Sequence, residues 1–160
     1  MPELPEVETL RQDLSREVPG KKIKSVSVAN GRSVRRHPSA KHFRTPLEGR
    51  TIKSVGRLGK YLLMTLDSGD TLVVHLGMSG QLLRVKSVKD PKPKHTHVVI
   101  TFTQGGELRY VVVGSGPDHE RAYQAEVFVA GSLLGVGAGR SKKDAEQEAA
   151  RNAWEGLQNA

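Results

Sequence analysis

The chain opens Met-Pro-Glu-Leu-Pro-Glu-Val-Glu, and this start brings together residues that could do covalent chemistry. Initiator methionine is generally removed when a small residue such as proline follows, which leaves Pro2 as a free secondary amine. Such an amine can attack a sugar aldehyde carbon and form an iminium, as lysine Schiff bases do. Glu3 beside it can protonate a ring oxygen or a leaving group. The same residues also suit a plain helix start. Pro5 fits a first helical turn, where its missing N–H costs nothing, and Glu3, Glu6 and Glu8 sit where the helix dipole favours negative charge. Spacing alone leaves both readings open.

The elements that must position these groups can be read from periodicity. Leu4, Val7, Leu10 and Leu14 predict an amphipathic helix over 3–17, ended by Pro19-Gly20. The period then changes to two. Runs at 22–29, 50–57, 61–66, 71–76, 81–86, 97–102 and 107–113 read as short strands with hairpin spacing, which argues a sandwich or barrel. GKKIKSV (20–26) is echoed by GRTIKSV (49–55), and the two read as similar edge strands. Beyond 111 the pattern becomes β-β-α: strands at 123–130 and 132–139, then a helix with an apolar face of Ala145, Ala149, Ala150, Trp154 and Leu157. Ser141 followed by Asp144 resembles its capping box.

With 160 residues and 36% hydrophobic content, the chain can bury one good core or two small ones. No apolar run is long enough to span a membrane, and the acidic start lacks the features of a secretory signal, so a soluble, cytoplasmic protein is expected. The net charge of +8 is concentrated in residues 21–60, where twelve basic residues face Glu48 alone. That block is a surface for a polyanion, most commonly nucleic acid, and it lacks the helical pattern of a membrane anchor. Zero cysteines exclude disulfides and thiolate-bound zinc. His75, His95 and His97 lie along strands rather than at metal-ligand spacing, so no metal is expected.

The stretch MPELPEVET, together with NGRSVRRHP (30–38), GKYLL (59–63), VHLGMSGQL (74–82) and KHTHVVITF (94–102), resembles the N-terminal catalytic domain of bacterial formamidopyrimidine-DNA glycosylases. The resemblance covers residues 1 to about 110. It implies a DNA-repair enzyme that excises oxidised purines and then cuts the abasic strand. Pro2 would be the Schiff-base nucleophile, Glu3 the general acid and Lys60 a catalytic lysine in β-elimination. Apolar neighbours around Lys60 would desolvate its amine. His95 would contact DNA. Met78, between two glycines, would fill the vacancy left by an extruded base. Ordinary core filling is the alternative for a methionine there.

After ELRY the family's Asp-Pro-Arg-x-Phe-Gly motif does not follow, nor do its helix-two-turn-helix domain and cysteine-ligated zinc finger, which implies an impaired enzyme without a cofactor. Residues 111–160 instead resemble the latter part of the double-stranded-RNA-binding domain of bacterial ribonuclease III. By that resemblance His119 would enter a minor groove, and Lys142 and Lys143 would meet phosphates at a helix start. The expected fold is thus mainly β with flanking helices: a glycosylase-type β-sandwich over 1–110, then a truncated β-β-α segment of a double-stranded-RNA-binding domain over 111–160. The expected partners are damaged double-stranded DNA and double-stranded RNA, with no membrane. A non-catalytic nucleic-acid binder is the second functional reading.

Overall fold

In a computed structural model, the structure describes residues 4–77, 79–112 and 126–130. Helix α1 (Leu4–Glu17) precedes eight strands: β1 (Ile23–Val28), β2 (Ile52–Leu58), β3 (Tyr61–Leu66), β4 (Thr71–His75), β5 (Gly80–Val85), β6 (Thr96–Phe102), β7 (Glu107–Val112) and β8 (Glu126–Ala130). Between β1 and β2 lie a 3-10 turn (Gly31–Val34) and the short helix α2 (Ala40–Arg44). All strand pairs are antiparallel, in two four-stranded sheets ordered β1-β6-β7-β5 and β2-β3-β4-β8.

Alternation along the strands builds one core between the sheets. Leu62, Met64 and Leu66 of β3 face Val98, Ile100 and Phe102 of β6, and Val7 and Leu14 of α1 close one side. The void left between the sheets, bordered by Met64, Leu82, Tyr110 and Val127, is only about 10 Å³. That is no more than one water requires, so the interior is packing rather than a ligand cavity.

The echoed IKSV segments are edge strands, one in each sheet. Both break their register at the same place, between Ile23 and Ser25 and between Ile52 and Ser54. The bulge explains their burial: Ile23 and Val26, like Ile52 and Val55, are buried three residues apart instead of two. Strict two-residue alternation, expected from the sequence, therefore fails at both strands for the same reason. The bridge between Lys22 and Thr51 joins them across the sandwich corner. The outward Val26 N–H of β1 donates to Glu48 Oε2 at 3.0 Å, which gives the lone acid of the basic block a task at a sheet edge.

The two short helical turns carry no apolar period, and the sequence reading did not place them. Their caps were the available signal. Asn30 Oδ1 accepts the Arg32 N–H and Ser39 Oγ accepts the His42 N–H.

Strand β8 lies in the segment that sequence likeness sets apart from the sandwich, yet it pairs with β4 over five residues, from Thr71↔Ala130 to His75↔Glu126. Val127 enters the main core, while Phe128 joins Tyr61 and Val73 on the outer face. The buried Glu126 carboxylate meets Arg36 Nε at 2.9 Å and Arg35 Nη2 at 3.3 Å. The Arg36 guanidinium lies over the Phe128 ring, 5.0 Å from its centroid, and the Val129 N–H donates to His37 Nε2 at 3.0 Å. The predicted strand at 132–139 and helix with the 145–157 face lie outside the described residues.

Candidate active site

Helix α1 begins at Leu4, the residue that follows Pro2 and Glu3 in the sequence, so the contacts that fix α1 bear on the expected site. Glu8 is the fastening. Its carboxylate accepts two hydrogen bonds from Arg11 one turn on, at 2.8 Å from Nε and 2.8 Å from Nη2, and a third from Arg57 Nε of β2 at 3.0 Å. Hydrogen bonds from Arg11 and then Arg57 hold the Glu8 carboxyl down at about 2, which favours its ionised form. Ser15 Oγ adds a bond to the Val55 carbonyl at 3.0 Å, further along β2.

Arg57 also reaches the other expected catalytic group. Its Nη1 donates at 2.9 Å to the carbonyl of Gly59, the residue before Lys60. Leu58 pairs with Tyr61, so Gly59-Lys60 is a two-residue hairpin loop. Gly59 has φ +57 and Lys60 is not left-handed, the pattern of a II′ turn with glycine first. Lys60 is half-buried. One arginine therefore couples the helix that carries the amino terminus to the turn that carries the lysine.

Behind Lys60, the Tyr61 ring stacks on His75 with centroids 4.3 Å apart and planes at 19°. Tyr61 ionises only above its ordinary range, chiefly through burial and then through the Glu126 charge. Tyr110 is pushed up further, mainly by burial, and its hydroxyl donates to the His75 carbonyl at 3.4 Å.

His95 is exposed, at the entrance to β6 on the opposite sheet from Lys60, and has φ +65. His75 and His97 are half-buried. His97 Nδ1 lies 2.7 Å from Ser33 Oγ, which joins the NGRSV and KHTH segments, and burial followed by the His95 charge lowers its pKa. All twelve cations of the 21–60 block escape burial. Among the described residues, no three His, Asp or Glu side chains gather as a metal site. Of the other residues named from sequence, Pro2, Glu3, Met78, His119, Lys142 and Lys143 lie outside the described residues. The turn that brackets position 78 is closed by the Gly80 N–H donating to the Leu76 carbonyl at 2.6 Å. A Cβ on Gly80 would meet that carbonyl oxygen, so glycine is required there.

A two-sheet sandwich with an amino-terminal helix strapped to a Gly-Lys hairpin defines the class, and comparison with known proteins gives the family. The family model of the formamidopyrimidine-DNA glycosylase N-terminal domain matches residues 1–113. The chain belongs to that family. A formamidopyrimidine-DNA glycosylase of Salinispora arenicola is 50% identical over 113 residues, and one of Bacillus subtilis is 44% identical over 110, each match covering 69% of this chain and 39% of the relative. The chain thus spans about two fifths of the length of the curated relatives it matches.

Among solved structures, the Lactococcus lactis glycosylase bound non-covalently to DNA containing an AP site superposes with a TM-score of 0.67 at 31% identity, covering 82% of this chain and 47% of that one. The same enzyme with DNA containing FAPY-dG gives 0.67 at 32%, covering 82% and 46%. The double-stranded RNA binding motif matches residues 101–157 and overlaps the first match through β7. The resemblance read from the sequence holds in both parts, as does the mainly β fold with a glycosylase-type sandwich.

Proposed function

We propose that this chain acts on damaged DNA as a glycosylase and abasic-site lyase through an N-terminal proline Schiff base, with oxidised purines and abasic sites as its substrates. After methionine removal the Pro2 nitrogen attacks C1′ of the deoxyribose. Glu3 supplies the proton that the sugar oxygen or leaving group needs, and Lys60 moves protons during β-elimination. The observation that carries this reading is the Arg57 strap, which ties the helix leading out of Pro2-Glu3 to the Lys60 turn within a family whose relatives are glycosylases. The exposed cations of residues 21–60 and His95 would track the phosphates, and Met78 would fill the vacated stack.

Base release should be weak. The segment after Tyr110 reads Val-Val-Val-Gly-Ser-Gly, without the arginine and phenylalanine wedge implied by the family pattern, so less binding energy holds a flipped base. Nicking at an abasic site needs no extrusion and should survive better. His119, Lys142 and Lys143 would contact double-stranded RNA, a reading supported by the motif match over 101–157. A cytoplasmic location without a bound cofactor fits both activities. No helix among the described residues is long and apolar enough to cross a membrane.

Borohydride trapping on abasic duplex DNA is the test, with mass spectrometry of the mature terminus alongside. A covalent adduct that disappears in Pro2→Gly supports the enzyme. An unprocessed Met1, or no adduct from the wild-type protein at any salt, leaves the non-catalytic nucleic-acid binder, whereas an adduct that Pro2→Gly does not diminish overturns the proline as the required nucleophile. Efficient release of an oxidised purine would overturn the expected order of activities.

A further inference from the structure

The segment from Lys86 to His95 is exposed along its whole length and carries four lysines and His95 against one acid, Asp90. It also contains Pro91 and Pro93. Neither has an N–H to donate, so a β ladder cannot hold this stretch. What ties 90–95 to the body is a set of donors from the sheet that reach its carbonyls. Arg109 Nη2 donates to the Asp90 carbonyl at 2.7 Å, and Nη1 donates to the Pro91 carbonyl at 3.0 Å. Thr96 Oγ1 donates to the Pro93 carbonyl at 2.6 Å, and the Val112 N–H donates to the His95 carbonyl at 3.1 Å. Held on both sides, His95 keeps a left-handed backbone that a free loop residue would rarely adopt.

The cost of this arrangement lies in Arg109 itself. It is 1% exposed, on the outer face of the central strand β7, while its neighbours Leu108 and Tyr110 face the core. Its Nε donates to Glu107 Oε1 at 2.6 Å, and Thr101 Oγ1 donates to Glu107 Oε2 at 3.2 Å. A buried ion pair is no better for stability than apolar residues of the same size. Stability therefore does not explain the pair. The fork-shaped donor set does, because two adjacent carbonyls of a proline-bearing loop call for a planar group with parallel N–H bonds, which lysine lacks.

We infer that Arg109 is a positioning residue, whose buried guanidinium grips the 90–91 carbonyls and so sets how Lys89, Lys92, Lys94 and His95 meet a nucleic-acid backbone. This rests on the reading above that the His95 loop contacts DNA.

The test uses the full chain in four forms: wild type, Arg109→Lys, a loop variant with Lys89, Lys92, Lys94 and His95 all changed to alanine, and the combination. Affinity for a short duplex DNA is measured over a salt series. The loop variant should flatten the plot of log K against log salt by about 0.9 for each phosphate it no longer neutralises. Arg109→Lys should reproduce most of that flattening with every loop cation still present, and the combination should be no worse than the loop variant. A purely structural role would lower thermal stability and leave the salt slope unchanged. If Arg109→Lys does not fold, Thr96→Val removes the Pro93 anchor without touching the buried pair, and the same flattening is expected. A loop variant that binds like wild type overturns the loop's DNA role. A flattened loop variant beside unchanged Arg109→Lys and Thr96→Val overturns the positioning role alone.

Discussion

Glu126→Gln tests whether charge fastens β8 to the rest of the sandwich. The carboxylate is buried, at 4% side-chain exposure, while Arg36 and Arg35 keep 31% and 34% of theirs. Breaking a buried pair costs about 3–5 kcal/mol when the abandoned partner stays buried. Here the abandoned partners are arginines that can turn to water, so the loss should be smaller, about 2 kcal/mol once that relief is allowed for. For a chain of this size that is roughly a 4–8 °C fall in Tm. The exposed pair Arg16–Asp13, at 73% and 53%, is the control, and Asp13→Asn should change stability by no more than about 0.5 kcal/mol. Thermal unfolding of both variants at low and high salt separates the cases, because only the exposed pair is strongly screened. If Glu126→Gln melts like wild type, or its deficit vanishes with salt, the Glu126 charge does not fasten β8 and its other contacts hold it.

Acidification should destabilise the fold through two histidines. His37 accepts the Val129 N–H at Nε2, so its own proton sits on Nδ1, 2.7 Å from His42 Nδ1, with Arg35, Arg36 and Glu126 nearby. Burial first and His42 second lower the His37 pKa, and His97 is lowered likewise. The unfolded chain then takes up protons first, so stability is full above about 6.5 and falls below it by up to ~1.4 kcal/mol per pH unit for each histidine. Urea midpoints measured between roughly pH 7.5 and 5.5 check this, and a flat profile would contradict it. Glu8→Gln should lower adduct yield on abasic DNA about tenfold while duplex affinity is kept, since it loosens α1 from the Lys60 turn without removing a cation. Gly59→Ala should cost about 1–2 kcal/mol, because alanine must adopt φ +57 at the hairpin; an unchanged urea midpoint would mean that the turn has relaxed.

Much of this architecture was legible in the sequence, and the failures have physical causes. Helix α1 and the strands through β7 fall where apolar spacing places them, within a residue or two. The IKSV strands were placed but their burial was not, because a bulge adds one residue that no local composition announces. Lys60 could be singled out from its family-like surroundings. Its link to Glu8 through Arg57 could not, since Glu8 and Arg57 lie 49 residues apart. Arg109 drew no notice because an arginine in ELRY reads as a surface cation. Its burial follows only from the loop folded across it. A strand was expected at 123–130, and β8 occupies 126–130 of it, but propensity does not name a strand's neighbour.

Strand β8 sets a rule for anyone trimming this protein. Were the chain cut after β7, strand β4 would present the edge that now pairs with five residues of β8, beside Arg35 and Arg36 deprived of the Glu126 carboxylate and an uncovered patch around Tyr61 and Val73. Such a rim recruits other chains, so the shortened protein would self-associate, and a workable minimal fragment must run to Ala130.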